Sequence, residues 1–300
     1  MATSTQARLA ESELILNADG SMYHLGLRPE HLAPLVITVG DPERVAAVSA
    51  HFDEVTYRQQ RREFRTHVGR FAGRPIMCIS TGIGTDNVDI VLNELDALAN
   101  VDFATRKVRE DLHRLTFLRL GTSGTFQPDI NVDTLLVSDQ AIGLDGLGPF
   151  YSFEPTALQQ AFARTFPHFA GQAYGAHADG QLVRAWARRQ TVVGQTLTCA
   201  GFYGPQRRSI RLGWRGPTLA ELADFRWGDG DREWIANFEM ETAGIYGLAK
   251  LLGHRAVSVS AILANRATGA FSERPSEIVA GLIDRAFDLI AAEPELWFGA

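Results

Sequence analysis

An arginine inside an apolar run is the first residue that demands a chemical partner. Arg119 lies in LTFLRLG (115–121) among hydrophobic neighbours. A buried guanidinium is costly unless a carboxylate or an anion meets it. A structural pair with Asp or Glu satisfies that demand, and so does a bound oxyanion. Directly after it stand Gly121, Thr122, Ser123 and Gly124. They read as a small, hydroxyl-rich turn at the carboxyl end of a strand, the edge where ligands of open α/β sheets collect. A second junction is VGDPERV, where an apolar strand ends at Gly40, Asp41 and Pro42 turn the chain, and Arg44 enters a helix. Glycine lets backbone N–H groups approach an anion, the helix N-terminus adds partial positive charge, and Arg44 adds a charged fork. An ordinary strand–turn–helix junction with a surface arginine accounts for the same residues.

Other stretches carry groups suited to a sugar and a planar ring. In NFEMET (237–242), the Glu241 carboxylate can accept from two vicinal hydroxyls at once, and Met240 offers a soft apolar surface. A carboxylate stabilised in a first helical turn explains Glu241 equally well. In GFYGPQRRS, Phe202 and Tyr203 offer rings for stacking. Gln206 donates and accepts at once, matching the imide edge of a pyrimidine. Arg208, and Arg266 of LANRAT, can stabilise negative charge building on a departing ring. A solvated basic loop is the plainer reading of 206–211. STGIGTDNVDI (80–90) is another glycine-rich turn, and it does not match the GxGxxG dinucleotide fingerprint.

These residues need a scaffold, and the pattern supplies one. Apolar, β-branched runs at 35–39, 75–81, 115–121, 133–139, 191–200 and 256–263 predict strands covered on both faces. Between them, 87–99, 241–252 and 276–292 place apolar residues at helical spacing, with Gly253 as a stop and Ser276 as an N-cap. Strands alternating with helices predict an α/β sheet with helices on both faces. The charged segment 102–114 reads as a solvated helix or loop, and 205–234 as a long flap over the site. No repeat or linker divides the chain. Residues 1–22 read as an N-terminal extension and 23–300 as a single domain.

Composition narrows the classes. Of 300 residues 45% are hydrophobic, enough for one large core, and the net charge of −6 gives no global attraction for nucleic acid or anionic membrane. Anion binding must therefore come from local arginines. Cys78 and Cys199 sit in apolar runs with no metal-ligand spacing, so both read as buried small hydrophobes. Neither a secretory leader nor a membrane span is expected, and a reducing cytoplasm fits.

The series YHLGL, VGDPERV, RREF, STGIG, RLGTSG, GFYGPQRR, NFEMET and LANRAT resembles the uridine phosphorylase branch of the nucleoside phosphorylase family, from about Tyr23 to the last helix. The resemblance implies a three-layer α/β/α sandwich with a mixed, partly barrel-like central sheet. It implies that Gly40, Arg44, Arg119 and Thr122 hold phosphate, with Arg62 of RREF reaching the phosphate of a neighbouring subunit. His24 crosses the same interface to the ribose 5′-OH, Met240 and Glu241 hold the ribose, Phe202 packs on the nucleoside, and Gln206 and Arg208 read the base with Arg266 close by. PQRR leaves Arg207 as the alternative to Arg208. The implied reaction is reversible phosphorolysis of uridine to uracil and α-ribose-1-phosphate in a homodimer or homohexamer with shared sites. Inorganic phosphate is the co-substrate, and no metal or organic cofactor is required. Some relatives bind a monovalent cation between subunits through a Glu and a Ser. Glu63 is present, whereas Thr85, Asp86 and Asn87 depart from the Ser-bearing pattern. The alternatives are a broad or purine-preferring phosphorylase and a non-catalytic nucleoside-binding protein of this fold. Asn265, where purine-cleaving relatives carry an Asp, weighs against the first. Retention of the whole anion-binding set weighs against the second.

Overall fold

The continuous apolar runs form the expected strands. In the computed structural model, which describes residues 7–228 and 234–299, LVITV is β1 (Leu35–Val39), buried throughout. It leads into α1 (Arg44–Ser49). An antiparallel series β2 (Glu54–Arg61), β3 (Phe64–Phe71) and β4 (Arg74–Ser80) follows, and then α2 (Thr85–Asn100). After β5 (Val101–Asp102) and β6 (Lys107–Val108) come β7 (Thr116–Thr125), β8 (Leu135–Leu144), α3 (Ala157–Thr165), β9 (Tyr174–His177), α4 (Gly180–Ala187) and β10 (Val192–Cys199). The remainder comprises α5 (Leu219–Asp224), β11 (Ile235–Glu239), α6 (Thr242–Leu251), β12 (Arg255–Asn265), β13 (Ala270–Phe271), α7 (Pro275–Ala292) and α8 (Pro294–Phe298).

The large sheet runs β13-β12-β8-β10-β11-β7-β1-β4-β3-β2, with β9 added at β8. Because β12 pairs with both β7 and β8, the strands β7, β12, β8, β10 and β11 close on themselves. The mixed, partly closed centre is thus present. β7 belongs to both parts. On one edge Thr116–Arg119 pairs with β1 in parallel, and Gly124 and Thr125 pair with β11 in antiparallel. Between them Leu120–Ser123 has no strand neighbour on that edge among the described residues. The carboxyl ends of β1 and β11 converge on this gap from opposite directions, which creates a crevice at a topological switch point.

Apolar side chains alternate across the strands to feed two layers. Val36, Met77, Ile79 and Phe117 pack with Val88, Val91, Leu92 and Leu95 of α2 and with Ala243 and Leu248 of α6. Leu35, Ile37, Cys78, Leu118, Val257 and Val259 pack the other way, against α1, α4 and α7. Both cysteines are buried and unbridged, and burial pushes both thiols up, that of Cys199 to about 12.

Several expectations need correction. The GTSG stretch is not a turn: β7 runs through it to Thr125, because β12 supplies a ladder along the whole strand. Ser276 is not an N-cap, since α7 begins at Pro275, whose fixed φ suits a first helical position, and Arg274 occupies the cap. Segment 102–114 contains a small hairpin. Its Arg106 is buried and donates to the carbonyls of Leu9, Ala10 and Leu14, clamping residues that read as an extension. Leu14 and Met22 join the α2 layer. Segment 205–234 is more than a loose flap. Leu222 and Phe225 are buried in a third cluster with Phe162, Phe166 and Phe169. Residues 229–233 of that segment lie outside the described ones. Gly253 does stop α6, at a φ of 82°.

Candidate active site

The gap in β7 opens into a cavity of about 800 Å³ lined by Gly40, Arg44, Arg119, Thr122, Phe202, Gln206, Arg208, Met240 and Glu241. Nine of the residues singled out in the sequence therefore share one space. Arg44 projects from the first turn of α1 and donates to Leu120 O at 3.3 Å, on the unpaired edge of β7. Burial lowers its pKa, Asp41 opposes that, and the nearby Arg119 charge lowers it further. The two guanidinium groups thus share one anion-attracting end.

Arg119 is held by carboxylates. Its Nη2 lies 2.5 Å from Glu241 Oε2 and 3.1 Å from Glu239 Oε2, and Nη1 reaches Ser258 and Ser260. The structural pairing and the cavity-lining placement therefore hold together. Burial works against the Arg119 charge, yet Glu239 and Glu241 carry its pKa above the usual arginine value. The guanidinium lies over Gly121, where a Cβ would sit 1.9 Å from Nη1 and 2.6 Å from Cζ. That close approach is what the first glycine of GTSG permits.

Glu241 occupies the N-cap of α6, but its carboxylate does not cap that helix. It accepts from Gly84 N at 2.8 Å and from Arg119. Gly84, at φ 97°, begins α2, so the STGIG turn fixes the carboxylate from across the cavity. Burial raises the pKa of Glu241 against the pull of Arg119. The α6 terminus is satisfied instead by Glu239, which accepts from Glu241 N, Thr242 N and the Thr198 hydroxyl. Sequence reading picked Glu241 and passed over this support.

At the opposite end the guanidinium of Arg208 lies 3.6 Å above the Phe202 ring and donates to Phe202 O and to Gln206 Oε1 at 2.6 Å. That bond orients the Gln206 amide, whose Nε2 has no protein partner among the described residues. Burial, with Arg266 nearby, lowers the Arg208 pKa to about 10. Arg207 resolves as structural. It adopts φ 60°, donates to Gly204, Pro205 and Pro217 carbonyls, and lies near the Phe169 and Trp214 rings. Among the described residues neither Arg44 nor Arg208 forms an ion pair.

Three expected residues do not line this cavity. Arg266 stands behind the Gln206–Arg208 end, donating to the carbonyls of Gln206 and Arg207 at 3.2 Å, so it buttresses the segment instead of facing the cavity. Exposed Arg62 and half-buried His24 both lie against Tyr23, at 5.6 Å and 4.8 Å from its ring centroid. Asn265 is buried and fully used. It donates to Gln127 O and Ile130 O, and it accepts from Ala267 N and Thr268 N. Lining residues not anticipated include Glu63, Ile83, Phe238, Leu263 and Phe271. Ile83 and Phe271 are 69% and 65% exposed, an apolar signal at the mouth that sequence alone does not separate from core residues.

Comparison with known proteins bears on this geometry. The Phosphorylase superfamily profile matches residues 34–291. Uridine phosphorylase of Thermococcus kodakarensis is 30% identical over 279 residues, covering 91% of this chain and 88% of that protein. Uridine phosphorylase of Escherichia coli K12 is 30% identical, covering 82% and 86%. Among solved structures, a Trypanosoma brucei nucleoside phosphorylase described as showing uridine phosphorylase activity superposes with a TM-score of 0.84 at 26% identity, over 93% of this chain and 99% of that one. Toxoplasma gondii purine nucleoside phosphorylase, at 20% identity and a TM-score of 0.68 over 94% and 100%, shares the fold. With a profile spanning most of its length and relatives at 30% identity across theirs, the chain belongs to the phosphorylase superfamily.

Proposed function

We propose that this protein catalyses reversible phosphorolysis of uridine, giving uracil and α-ribose-1-phosphate. One observation carries the reading. A single cavity has at its two ends arginines without an ion pair among the described residues, Arg44 and Arg208, and a carboxylate with a methionine between them. Phosphate binds at Gly40, Arg44, Arg119 and Thr122. Ribose binds on Met240 with its vicinal hydroxyls toward Glu241. The pyrimidine stacks at Phe202, with its imide edge toward Gln206 and Arg208. As the glycosidic bond stretches, positive charge grows on the ribose above the phosphate and negative charge grows on the base beside Arg208. Groups already fixed where charge develops lower the barrier without reorganising. Phosphate oxygen then bonds to the anomeric carbon as the base departs. No side-chain nucleophile takes part. The uridine phosphorylase names of the relatives support the pyrimidine assignment.

The active unit is proposed to be at least a dimer. Arg62 and His24 form one surface patch around Tyr23, and Arg62 directly precedes Glu63, which lines the cavity. A patch at the cavity rim is suited to reach into a neighbour's site. The test is a nucleoside panel with and without phosphate. Uridine with phosphate should release uracil, and omission of phosphate should stop release. Equal release in both conditions would identify a hydrolase and refute the proposal.

A further inference from the structure

Helix α2 carries one carboxylate on its apolar face. Glu94 lies among Val91, Leu92, Leu95 and Leu98 and is itself buried. A buried carboxylate needs donors, and all three of its donors come from one short segment. Glu94 Oε1 accepts from His24 N at 3.0 Å, Oε2 from Leu25 N at 2.9 Å, and Oε1 lies 2.6 Å from His24 Nδ1. The two backbone bonds are enough to anchor the loop, whose Leu25 and Leu27 are fully buried. The third contact does something different: it dictates which ring nitrogen of His24 faces outward. A carboxylate can only accept, so Nδ1 carries a proton and Nε2 presents its lone pair from the neutral ring. Among the described residues Nε2 has no partner.

We infer that Glu94 is a positioning residue for His24. It locks the imidazole in the Nδ1–H tautomer so that Nε2 accepts a hydrogen bond from the 5′-hydroxyl of a nucleoside held by an adjacent subunit. This rests on the proposed function, in which the patch with His24 reaches into a neighbour's site, and adds the group it meets there: the 5′-hydroxyl is selected by a two-residue device whose second member lies inside the protein.

The test compares kcat/KM for uridine and 5′-deoxyuridine in the full-length wild type, His24→Ala and Glu94→Gln. An amide can offer N–H to Nδ1 and favour the wrong tautomer, so the uridine to 5′-deoxyuridine ratio should fall about tenfold in Glu94→Gln. His24→Ala should shift the ratio in the same sense. A ratio that stays at the wild-type value while both rates drop would reduce Glu94 to a loop anchor and overturn the inference. A wild type that treats both nucleosides alike overturns it at His24, while phosphate-dependent uracil release still tests the broader reading. Should Glu94→Gln fold poorly, proton–nitrogen correlation spectra of histidine-labelled wild type at mildly alkaline pH give an independent answer. Protonation of Nδ1 alone is expected for His24, assigned by its loss in the variant, and protonation of Nε2 alone would refute it.

Discussion

Gly121→Ala is the sharpest perturbation the site allows. The backbone at Gly121 has no positive φ, so alanine is tolerated there conformationally. The three nearest atoms to an added Cβ all belong to one group, Nη1, Cζ and Nη2 of Arg119, at 1.9, 2.6 and 2.9 Å. Ordinary contact begins near ~3.5 Å, so the guanidinium must move by about 1.5 Å. Misplacing a substrate-positioning group by about 1 Å costs on the order of 100-fold, and kcat/KM for phosphate should fall by at least that. Complete loss of a buried partner costs about 3–5 kcal/mol. A guanidinium that is displaced but still charged leaves Glu239 and Glu241 partly compensated, so about 1–3 kcal/mol is expected, a fall of several degrees in thermal midpoint. Initial rates with phosphate varied at saturating uridine give the first quantity, and thermal unfolding gives the second. The decisive control is Arg119→Met, whose side chain has no head group to collide with Cβ. In that background adding Gly121→Ala should change activity by less than about 0.5 kcal/mol. Wild-type phosphate kinetics in a folded Gly121→Ala enzyme, or additive losses in the double variant, would show that Arg119 does not act at the phosphate.

Two further outcomes test the ends of the cavity. Arg208→Met should lower uridine turnover by about 100- to 1,000-fold, and much less for 5-fluorouridine, whose more acidic base leaves with less help; equal losses would remove Arg208 from the departing charge. Arg62→Ala and Arg208→Met proteins, each with little activity, should regain part of it when their subunits are exchanged, because a mixed dimer then has one site with its own Arg208 and its neighbour's Arg62 both intact, and no recovery after verified exchange would confine the site to one chain.

Local chemistry was legible in the sequence wherever residue type alone decides. Val88, Val91, Leu92 and Leu95 had to share a face, and they do. Arg119 in an apolar run had to find an anion or a carboxylate, and it finds both a cavity and two carboxylates. What depends on long-range pairing was not legible. Gly-Thr-Ser-Gly has turn composition, but β12 supplies partners 139 to 140 residues further along the chain and keeps it a strand. The same closure places Glu239 under Arg119, which local spacing cannot distinguish from Glu241. Arg207 and Arg208 are neighbours of one type, and only the left-handed backbone at Arg207 sends one inward to carbonyls and the other to the cavity. The charge of Arg266 in LANRAT suits stabilisation of a departing base. Its fork instead meets the backbone carbonyls behind the base end.

The distribution of charge along the cavity explains why the middle can be buried and the ends cannot be neutralised. Arg119 sits between two carboxylates that lift its pKa, so the ribose level carries a satisfied cluster and tolerates exclusion of water. Arg44 and Arg208 have no such partners among the described residues, and burial depresses both. An unpaired guanidinium in a partly desolvated site is poorly solvated until an anion arrives, and an anion arriving there gains more than it would in water. In the proposed reaction phosphate supplies that anion at one end from the start, and at the other end the departing base supplies it only as its bond breaks. A permanent carboxylate beside Arg208 would stabilise the empty enzyme and cancel the attraction at the moment when charge develops. In the proposed reaction the lack of an ion pair at Arg208 among the described residues, more than the presence of the arginine, directs the site toward the transition state and not toward the bound nucleoside.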